Sequence, residues 1–380
     1  MNFALDEEQE RLRGTARAFL AEWSSSPRVR AAMDSALGWD PGVWRRIAAE
    51  LGWTAVIVPE AYGGLGLGQI ELAVLMEEMG AALLCAPFFS TVCLATNALI
   101  VGGSEAQKQR ELARIAAGEI VATVAWTEAN GRWDAAAIET TARREPSGDF
   151  VLTGRKTFVV DGHAADLIVV AARRDGSRGE AGVSLFLVPA DTPGLRRRVL
   201  GTMDRTRRQA EVTLDGVRAP AAALLGEEGD GWRILAKALA LAAVGLSAEQ
   251  VGGAQRCLDM AVDYAKQRVQ FGRPIGSFQA IKHKCANMLV QVESARSAAY
   301  FAACTAAEDG DDLPLAASLA KAYCSDAYFR CAAENVQIHG GIGFTWEHDA
   351  HLYLKRAKSS ETLLGDASHH RERVAQRIGL

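Results

Sequence analysis

The sequence has little that would tie it to disulfide or thiol redox chemistry. Its cysteines number seven, which is odd, and no two of them form a Cys-x-x-Cys pair. They lie mostly within helical patterns, at Cys85, Cys93, Cys257, Cys285, Cys304, Cys324 and Cys331. Because this spacing offers no disulfide framework, we expect reduced thiols that serve as packing residues in a cytoplasmic protein.

A surplus of positive charge is also absent. Lysine and arginine together number 42, against 46 aspartate and glutamate residues, which gives a net charge of -4. Nucleic-acid binding depends on concentrated basic charge that neutralises phosphates. The composition therefore argues against nucleic acid as the main ligand.

The chain shows neither the pattern of a signal peptide nor a long apolar run. Its first residues, MNFALDEEQERLR, are acidic and amphipathic, whereas a signal peptide is basic and then apolar. The longest apolar stretch runs from Ala238 to Leu246, about half of what a bilayer-spanning helix requires. We therefore expect no membrane span and a cytoplasmic location.

What the chain does have is length, apolar content and a hydrophobic period that changes twice. Its 380 residues, 49% of them hydrophobic, exceed the usual size of one core. The pattern predicts an N-terminal helical domain over residues 1–118, which begins with a helix capped by Asp6. It predicts a middle β domain over residues 119–228 and a C-terminal helical domain over residues 229–380.

Six short β-rich runs define the predicted middle domain. They are IVATVAW, FVLTG, KTFVV, DLIVVAA, VSLFLVPA and EVTLDGV, with turn residues such as Asp161-Gly162 between them. Because no helical pattern separates these runs, we expect an antiparallel sheet, folded as a small barrel or sandwich, rather than a parallel α/β sheet.

The C-terminal part carries the most specific motif of the chain. The run from Asn335 to Asp366, NVQIHGGIGFTWEHDAHLYLKRAKSSETLLGD, resembles the C-terminal signature of the acyl-CoA dehydrogenase family. The resemblance covers essentially the full length and implies a helical domain, a β domain and a C-terminal four-helix bundle, assembled as tetramers. It also implies FAD as cofactor, an acyl-CoA thioester as the substrate that undergoes α,β-desaturation, and electron-transfer flavoprotein or a similar protein as acceptor.

Two elements resemble those with which the family holds the ADP half of FAD. In YAKQRVQFGRPIG, Arg268 and Phe271 occupy positions that reach the FAD of a neighbouring subunit; a guanidinium suits pyrophosphate and an aromatic ring packs on flat cofactor groups. In QIHGGIGF, Gln337, Gly340 and Gly341 match the second element, where glycine lets the backbone approach the cofactor. Taken alone, Arg268 could equally cap a helix end beside an aromatic core residue.

The segment VAWTEANGRWD is similar to a family strand and loop near the isoalloxazine ring. The resemblance places Trp126 and Thr127 at the cofactor. Arg132 and Trp133 stand where the family has small residues, so two bulky side chains enter a crowded region.

The segment KTFVVDG resembles a second ring-bordering stretch of the family. It places Phe158 beside the flavin, where a phenyl ring can still pack. Val160 replaces a threonine, and valine cannot donate the hydrogen bond that a hydroxyl provides. The cofactor residues implied by the resemblance are therefore retained only in part in the β domain.

The catalytic glutamate of the family has no counterpart at its usual positions. The resemblance places that base at Leu364 and its alternative location at Ala242, and the arginine that positions CoA at Ala243. Glu249, two turns along the same helical face, and Asp366 are the remaining candidates for a base. For Glu249 an ion-paired or solvated helix residue is the competing interpretation.

Other charged groups carry less information. The arginines at 196–198, 205, 207 and 208 could attract CoA phosphates but are typical of a solvated face. His348 and His351 share a helical face without a third ligand at metal spacing, so we expect no metal site.

Three hypotheses for function remain open. The first is a subunit of a heteromeric acyl-CoA dehydrogenase, a heterotetramer in which a homologous partner chain supplies the glutamate. The second is a homotetrameric flavoenzyme with a relocated base. The third is a non-catalytic structural or binding paralogue that has kept the fold.

Overall fold

The computed structural model describes residues 5–380. Its α-helices are α1 (Glu7–Trp23), α2 (Ser26–Asp34), α3 (Pro41–Arg45), α4 (Gln69–Ala81), α5 (Asn97–Gly102), α6 (Glu105–Gln107), α7 (Ala113–Ala116), α8 (Gly231–Gln267), α9 (Gln279–Ala307), α10 (Leu313–His339), α11 (Ala350–Thr362) and α12 (Ala367–Arg377). Its strands are β1 (Ala122–Ala125), β2 (Thr141–Arg144), β3 (Phe150–Val160), β4 (Leu167–Arg173), β5 (Val183–Pro189), β6 (Leu195–Val199), β7 (Gln209–Ala219), β8 (Leu224–Leu225), β9 (Val269–Gln270) and β10 (Arg273–Pro274).

By packing, these elements form two units, each made of separate stretches of sequence. The unit called here the helical unit comprises the residues up to Met33, Gln69–Cys85 and Ala243–Leu380. The unit called here the sheet unit comprises Asp34–Gly68 and Ala86–Ala242. The predicted domain boundaries after residues 118 and 228 follow the hydrophobic period rather than this packing, and they stay a prediction.

The start of the helical unit follows directly from local sequence. Asp6 caps α1, because its carboxylate accepts the backbone N–H groups of Glu8 and Gln9 and the Gln9 side chain accepts the N–H of Asp6. Ala16 and Leu20 are the buried residues of the predicted apolar stripe. The expected cap and the expected first helix are therefore both observed.

The core of the helical unit lies where α8, α9, α10 and α11 pack together. Small residues allow close approach of these helices, among them Ala254, Cys257 and Ala261 of α8. Tyr328 of α10 fills the space beside Gly253, where an added Cβ would lie 2.4 Å from the tyrosine ring. The seven cysteines of the chain are free thiols.

The sheet unit is built on a sheet of eight strands. Seven of them follow the order β6-β7-β3-β2-β4-β5-β8, and β1 pairs with β4. Most pairs are antiparallel, as the sequence predicts, but β1 and β2 each pair with β4 in parallel. FVLTG and KTFVV form one strand, β3, with irregular register against β7 on either side of Gly154.

Besides the two-residue strands, two strands, β2 and β6, have no counterpart among the predicted runs. The sequence of β2 is TARR, and that of β6 is LRRRV. Both are rich in arginine, which lowers the hydrophobic signal, yet β6 lies at the edge of the sheet, where long charged side chains are tolerated and discourage further pairing. The arginines at 196–198 are thus strand residues.

The expectation of no membrane-length apolar segment needs correction. Helix α8, with 37 residues, is long and apolar enough by length and composition to cross a membrane. An uninterrupted apolar run was too strict a criterion, because isolated polar residues such as Lys237 and Ser247 divide a longer apolar helix. In the structure 83% of the apolar window is buried inside the protein, as in a core helix.

Candidate functional site

The first predicted cofactor element lies in the helical unit, at the end of α8 and in the β9–β10 hairpin. Arg268 ends the helix, with its N–H donated to the carbonyl of Tyr264 at 2.8 Å. Its side chain is exposed and has no partner within the described part of the chain. Phe271 is 91% exposed and has a φ of +55°, a left-handed conformation that costs energy in a phenylalanine. An available guanidinium and a presented aromatic ring thus stand three residues apart.

The second predicted element lies at the end of α10 in the same unit. Gly340 ends the helix with a φ of +63°, which favours glycine. A Cβ added at Gly340 or Gly341 would meet no atom within 4 Å, so the space above this backbone is open. Gln337 is exposed and lines a cavity of about 420 Å³ between α9 and α10.

The structure brings the two elements together through His339. Its ring stacks on Tyr264 of α8, with centroids 4.3 Å apart, and lies 4.2 Å from the ring of His348. Nδ1 of His339 is 2.8 Å from the carbonyl oxygen of Asn335, and burial lowers the pKa of the ring. His339 is therefore a packed residue that joins the ends of α8 and α10.

The chemistry of these residues fits the ADP half of FAD. A free guanidinium can make charge-assisted bonds to a pyrophosphate, and the open glycine backbone can offer N–H groups to it. The exposed ring of Phe271 offers a flat apolar surface. These groups lie on one unit and are exposed, so they are available to a cofactor.

In the sheet unit, the predicted ring-facing residues belong to β3 and the segment after β1. The Thr127 hydroxyl donates to the carbonyl of Thr157 at 2.5 Å, and the N–H of Thr157 donates to the carbonyl of Thr127 at 2.9 Å. Phe158 follows with a φ of +54° and is 50% exposed, whereas Trp126 is buried. The structure therefore bonds the segment that carries Trp126 and Thr127 to the strand that carries Phe158.

A buried ion pair joins the same two segments. The sequence patterns assigned no role to this pair. Lys156 has no exposed surface, and its Nζ lies 2.5 Å from a carboxylate oxygen of Glu128. Glu128 also accepts the N–H groups of Glu139 and Thr140 at 2.9 Å each. Burial lowers the pKa of Lys156 to about 8, although the charge of Glu128 opposes this shift. Two adjacent segments are thus fixed by one charged pair.

The bulky residues of the 126–134 segment lie in a local polar turn. Arg132 forms an ion pair with Asp134 at 2.8 Å, and both side chains are exposed. The N–H of Arg132 donates to the Asn130 side chain at 3.1 Å. The arginine is therefore held within its own loop, in a position where the family resemblance implied small residues.

The predicted base positions, Leu364 and Ala242, hold no titratable group. Ala242 is buried in α8, as is Ala243, the predicted position of the arginine that binds CoA. Leu364 is 6% exposed, follows the end of α11 and has a φ of +65°, which is uncommon for leucine. The backbone of this turn is therefore unusual even though its side chain is apolar.

Glu249 forms a second buried ion pair, within the helical unit. Its carboxylate oxygen lies 2.8 Å from the guanidinium of Arg356 on α11, and both side chains are almost fully buried. A carboxylate bound by an arginine is stabilised in its charged form and is a weak proton acceptor. This geometry matches the ion-paired interpretation of Glu249 and speaks against its use as a base. The sequence could not reveal Arg356 as the partner, because it lies 107 residues away.

Asp366 is the N-cap residue of α12. One of its carboxylate oxygens accepts the backbone N–H of His369 at 2.8 Å, which caps the helix. The residue is only partly buried. It keeps a second oxygen, so its cap role does not by itself occupy the whole carboxylate.

The basic groups of the sheet unit have partners of their own. Arg196 pairs with Asp215 and Arg198 with Glu211, both on β7, and Arg205 pairs with Asp34. Arg197 donates to the carbonyl of Ala165 at 2.7 Å. Among residues 5–380, no group of three or more histidine, cysteine, aspartate or glutamate residues could hold a metal ion.

Comparison with known proteins places the chain in a family. Residues 6–119, 123–217 and 229–379 match the N-terminal, middle and C-terminal domains of acyl-CoA dehydrogenase, respectively. The acyl-CoA dehydrogenase IpdE2 of Mycolicibacterium smegmatis is 36% identical over 98% of this chain and 100% of its own length.

Solved structures agree with this assignment. The butyryl-CoA dehydrogenase of Megasphaera elsdenii superposes with a TM-score of 0.92 at 30% identity, covering 100% of both chains. A chain of the ChsE4-ChsE5 complex from Mycobacterium tuberculosis superposes with a TM-score of 0.89 at 28% identity, covering 100% of this chain and 99% of the other.

These matches, together with a helical and sheet architecture that agrees with the prediction, define a class of flavoprotein. The chain belongs to the acyl-CoA dehydrogenase family. It is an FAD-dependent oxidoreductase of the type that acts on CH–CH groups, which confirms the fold, the cofactor and the enzyme class predicted from sequence.

Proposed function

We propose that this chain is one subunit of a heteromeric acyl-CoA dehydrogenase, in which a homologous partner supplies the catalytic glutamate. Arg268, Phe271, Gln337 and Gly341 of this chain would contact the ADP half of an FAD whose ring lies in the partner. The observation that carries the proposal is the exposed, unpartnered Arg268 beside the open Gly340–Gly341 backbone. These groups are available, whereas Glu249 is ion-paired with Arg356 and Asp366 caps α12 through one of its oxygens.

Proton abstraction is the step that this chain lacks. The α-carbon of a thioester is a weak acid, so its deprotonation requires a positioned carboxylate with free lone pairs. Leu364 and Ala242 offer none, and Glu249 is bound by Arg356 at 2.8 Å. A chain that keeps cofactor-binding groups but has no carboxylate at either family base position is suited to complete a site on another chain.

The remaining chemistry belongs to the cofactor and to the bound substrate. When bound, FAD supplies the hydride acceptor for desaturation of the acyl-CoA. The guanidinium of Arg268 would neutralise pyrophosphate charge, and the ring of Phe271 would pack on the cofactor and exclude water. We further propose that electron-transfer flavoprotein, or a similar cytoplasmic protein, accepts the electrons.

A structural relative supports a two-component assembly. The ChsE4-ChsE5 complex is named as a complex of two different chains, and one of them has the fold of this chain with a TM-score of 0.89. This likeness supports heteromeric assembly by analogy.

Co-expression with a glutamate-bearing homologue tests the proposal. The expected result is a yellow complex that contains both chains and about half a flavin per chain, because only one of the two kinds of site would be complete. Purification of this chain alone should give a protein with little flavin and no acyl-CoA-dependent dye reduction. A yellow, active homotetramer of this chain alone would overturn the proposal.

The alternative is a homomeric enzyme that uses Asp366 as its base. The observation in its favour is the second carboxylate oxygen of Asp366, which the helix cap leaves available. Asp366→Asn keeps the cap acceptor but removes the base. If the lone chain were active and this variant inactive, the homomeric enzyme would be correct. A chain without flavin, alone and in every complex, would instead indicate a non-catalytic paralogue.

A further inference from the structure

Lys321 is a buried cation with an unusual set of partners. It lies on α10 and has no exposed surface. Its Nζ donates to the hydroxyl of Ser325 at 2.9 Å, to the carbonyl of Gly365 at 3.0 Å and to the carbonyl of Glu361 at 3.1 Å. The three N–H groups of the ammonium are therefore all used: one binds the last turn of α11 and one binds the segment that follows it.

None of these three acceptors is charged. Within residues 5–380, no carboxylate forms an ion pair with Lys321. Charged or titratable groups near it are Cys324 and Asp326 on α10, Glu361 on α11, and Asp366 and His370 at the start and in the body of α12. Burial of a charge without a counter-ion is costly. The charge of Lys321 is therefore buried in spite of an unfavourable desolvation free energy.

The turn that Lys321 binds is itself strained. Leu364 has a φ of +65°, and Gly365 has a φ of +108°. A side chain at Gly365 is excluded, because an added Cβ would lie 2.6 Å from the ring of His369. His370 supports the same turn, with its Nε2 3.1 Å from the carbonyl oxygen of Leu364. Two energetically unfavourable features are therefore found at this turn. They are the buried Lys321 ammonium without a counter-ion and the positive φ of Leu364.

We propose that Lys321 is the positioning residue of the turn from Glu361 to Asp366, and that its ammonium holds Leu364 in the left-handed conformation. The carbonyls of Glu361 and Gly365 flank Leu364, so fixing both ends fixes the backbone between them. Such costs are typical of functional sites rather than of packing. The inference rests on the proposed function only in treating this turn as part of the reaction site.

The ionisation of Lys321 distinguishes positioning from simple stabilisation. Burial lowers the pKa of Lys321 to about 7 from an ordinary value of 10.5. Between these two values the unfolded chain holds a proton that the folded chain releases, so stability falls as pH decreases from 10.5 towards 7. The charged lysine therefore orders the turn while it lowers the global stability. A residue retained for stability alone would not show opposite effects.

Hydrogen exchange on the full-length chain tests this at a pH below about 7, where the folded chain carries the charged Lys321. The reporters are turn and cap amides whose acceptors lie within the segment: those of Gly365, His369 and His370. In Lys321→Met, which keeps the length of the side chain, we expect exchange in this segment to accelerate about tenfold, the effect of losing charge-assisted hydrogen bonds. Exchange elsewhere and the melting temperature should be unchanged, or the melting temperature should rise.

A matched control separates the turn from its surroundings. Lys358→Met removes a neighbouring lysine that is half exposed, pairs with the Glu361 side chain and lies over the ring of Phe329, but binds no carbonyl of the turn, so exchange should stay at the wild-type rate. Unchanged exchange in Lys321→Met, or acceleration throughout the helical unit with a lower melting temperature, would overturn the inference. Because the lone chain is used, this outcome is independent of whether a heteromeric flavin complex forms.

Discussion

The predicted cofactor residues of the two units differ in their exposure and in their hydrogen bonds. In the helical unit, Arg268 and Gln337 are exposed and have no side-chain partners within residues 5–380. In the sheet unit, Thr127 is bonded to Thr157, and Arg132 is bonded to Asp134 within its own loop. One unit thus presents free groups, and the other has used its polar groups internally. The proposed function accounts for this difference, because it assigns ADP binding to the exposed groups of the helical unit and places the flavin ring in the partner chain.

Each unit also contains one buried ion pair beside its predicted site. Glu128 and Lys156 support the ring-facing segments of the sheet unit, and Glu249 and Arg356 join α8 to α11 in the helical unit. The net contribution of such pairs to stability is small, but removal of one partner leaves an isolated buried charge. They are therefore sensitive points at which the two units can be perturbed separately.

The largest expected effect comes from breaking these pairs one at a time. Lys156→Met and Arg356→Met should each lower the free energy of unfolding by about 3–5 kcal/mol, because a carboxylate is left buried and unpaired. Denaturant unfolding measures the loss of stability. Hydrogen exchange shows whether the loss lies in the sheet unit or in the helical unit.

The double replacements provide the control for that comparison. Glu128→Leu with Lys156→Met, and Glu249→Leu with Arg356→Met, remove both charges and should recover much of the lost stability. If a single variant and its double were equally unstable, lost packing rather than an unpaired charge would be the cause. The role given to these pairs would then be wrong.

A smaller effect is expected from removing the free guanidinium of the helical unit. Arg268→Ala should reduce FAD retention in the heteromeric complex about tenfold or more, since each charge-assisted bond to a phosphate contributes about 1.5–3 kcal/mol. The ratio of flavin to protein absorbance measures this retention. Stability should hardly change, because Arg268 is exposed and has no partner in the chain.

Arg273 offers a matched control on the same hairpin. Its guanidinium lies over the ring of Phe278, 4.2 Å from the centroid, so it is occupied within the chain. Arg273→Ala should leave FAD retention near the wild-type level. Equal loss of flavin in both variants would mean that the hairpin acts through general positive charge, and the contrast between the two units would lose its main support.

Features that depend on neighbouring residues in the chain could be predicted from the sequence, whereas features that depend on contacts between distant residues could not. The Asp6 cap depends on residues within one helical turn, and it is observed as expected. The strands β4 and β5 carry continuous apolar runs and were expected too. In contrast, β6 consists mainly of arginine, and its strand conformation depends on pairing with β7. Local sequence could not show that pairing.

The predicted site divides in the same way. Motifs identified Arg268, Gln337 and the glycines, whose exposure the structure describes. The groups that support the site were missed, because Lys321 acts on carbonyls 40 and 44 residues away and Arg356 on a carboxylate 107 residues away. Every residue has a backbone carbonyl, so the sequence does not show which carbonyls a buried lysine such as Lys321 binds.

The smallest expected effect is a pH dependence confined to the helical unit, and it arises from His370. Burial, together with the nearby charge of Lys321, lowers the pKa of His370 to about 3 from 6.5. Below pH 6.5 the unfolded chain binds a proton that the folded chain does not, so stability is complete above that value and is lost as pH falls towards 3. Between pH 6.5 and about 5 the loss should be on the order of 2 kcal/mol. Urea unfolding at several pH values measures this loss of stability, and hydrogen exchange at the amides of α12 locates it.

Two variants provide the control. His370→Gln, which retains an N–H donor for the carbonyl of Leu364, should flatten the pH dependence of stability, whereas His283→Gln on the exposed face of α9 should not. The same acid response in both variants, or a response centred in the sheet unit, would contradict the assignment to His370.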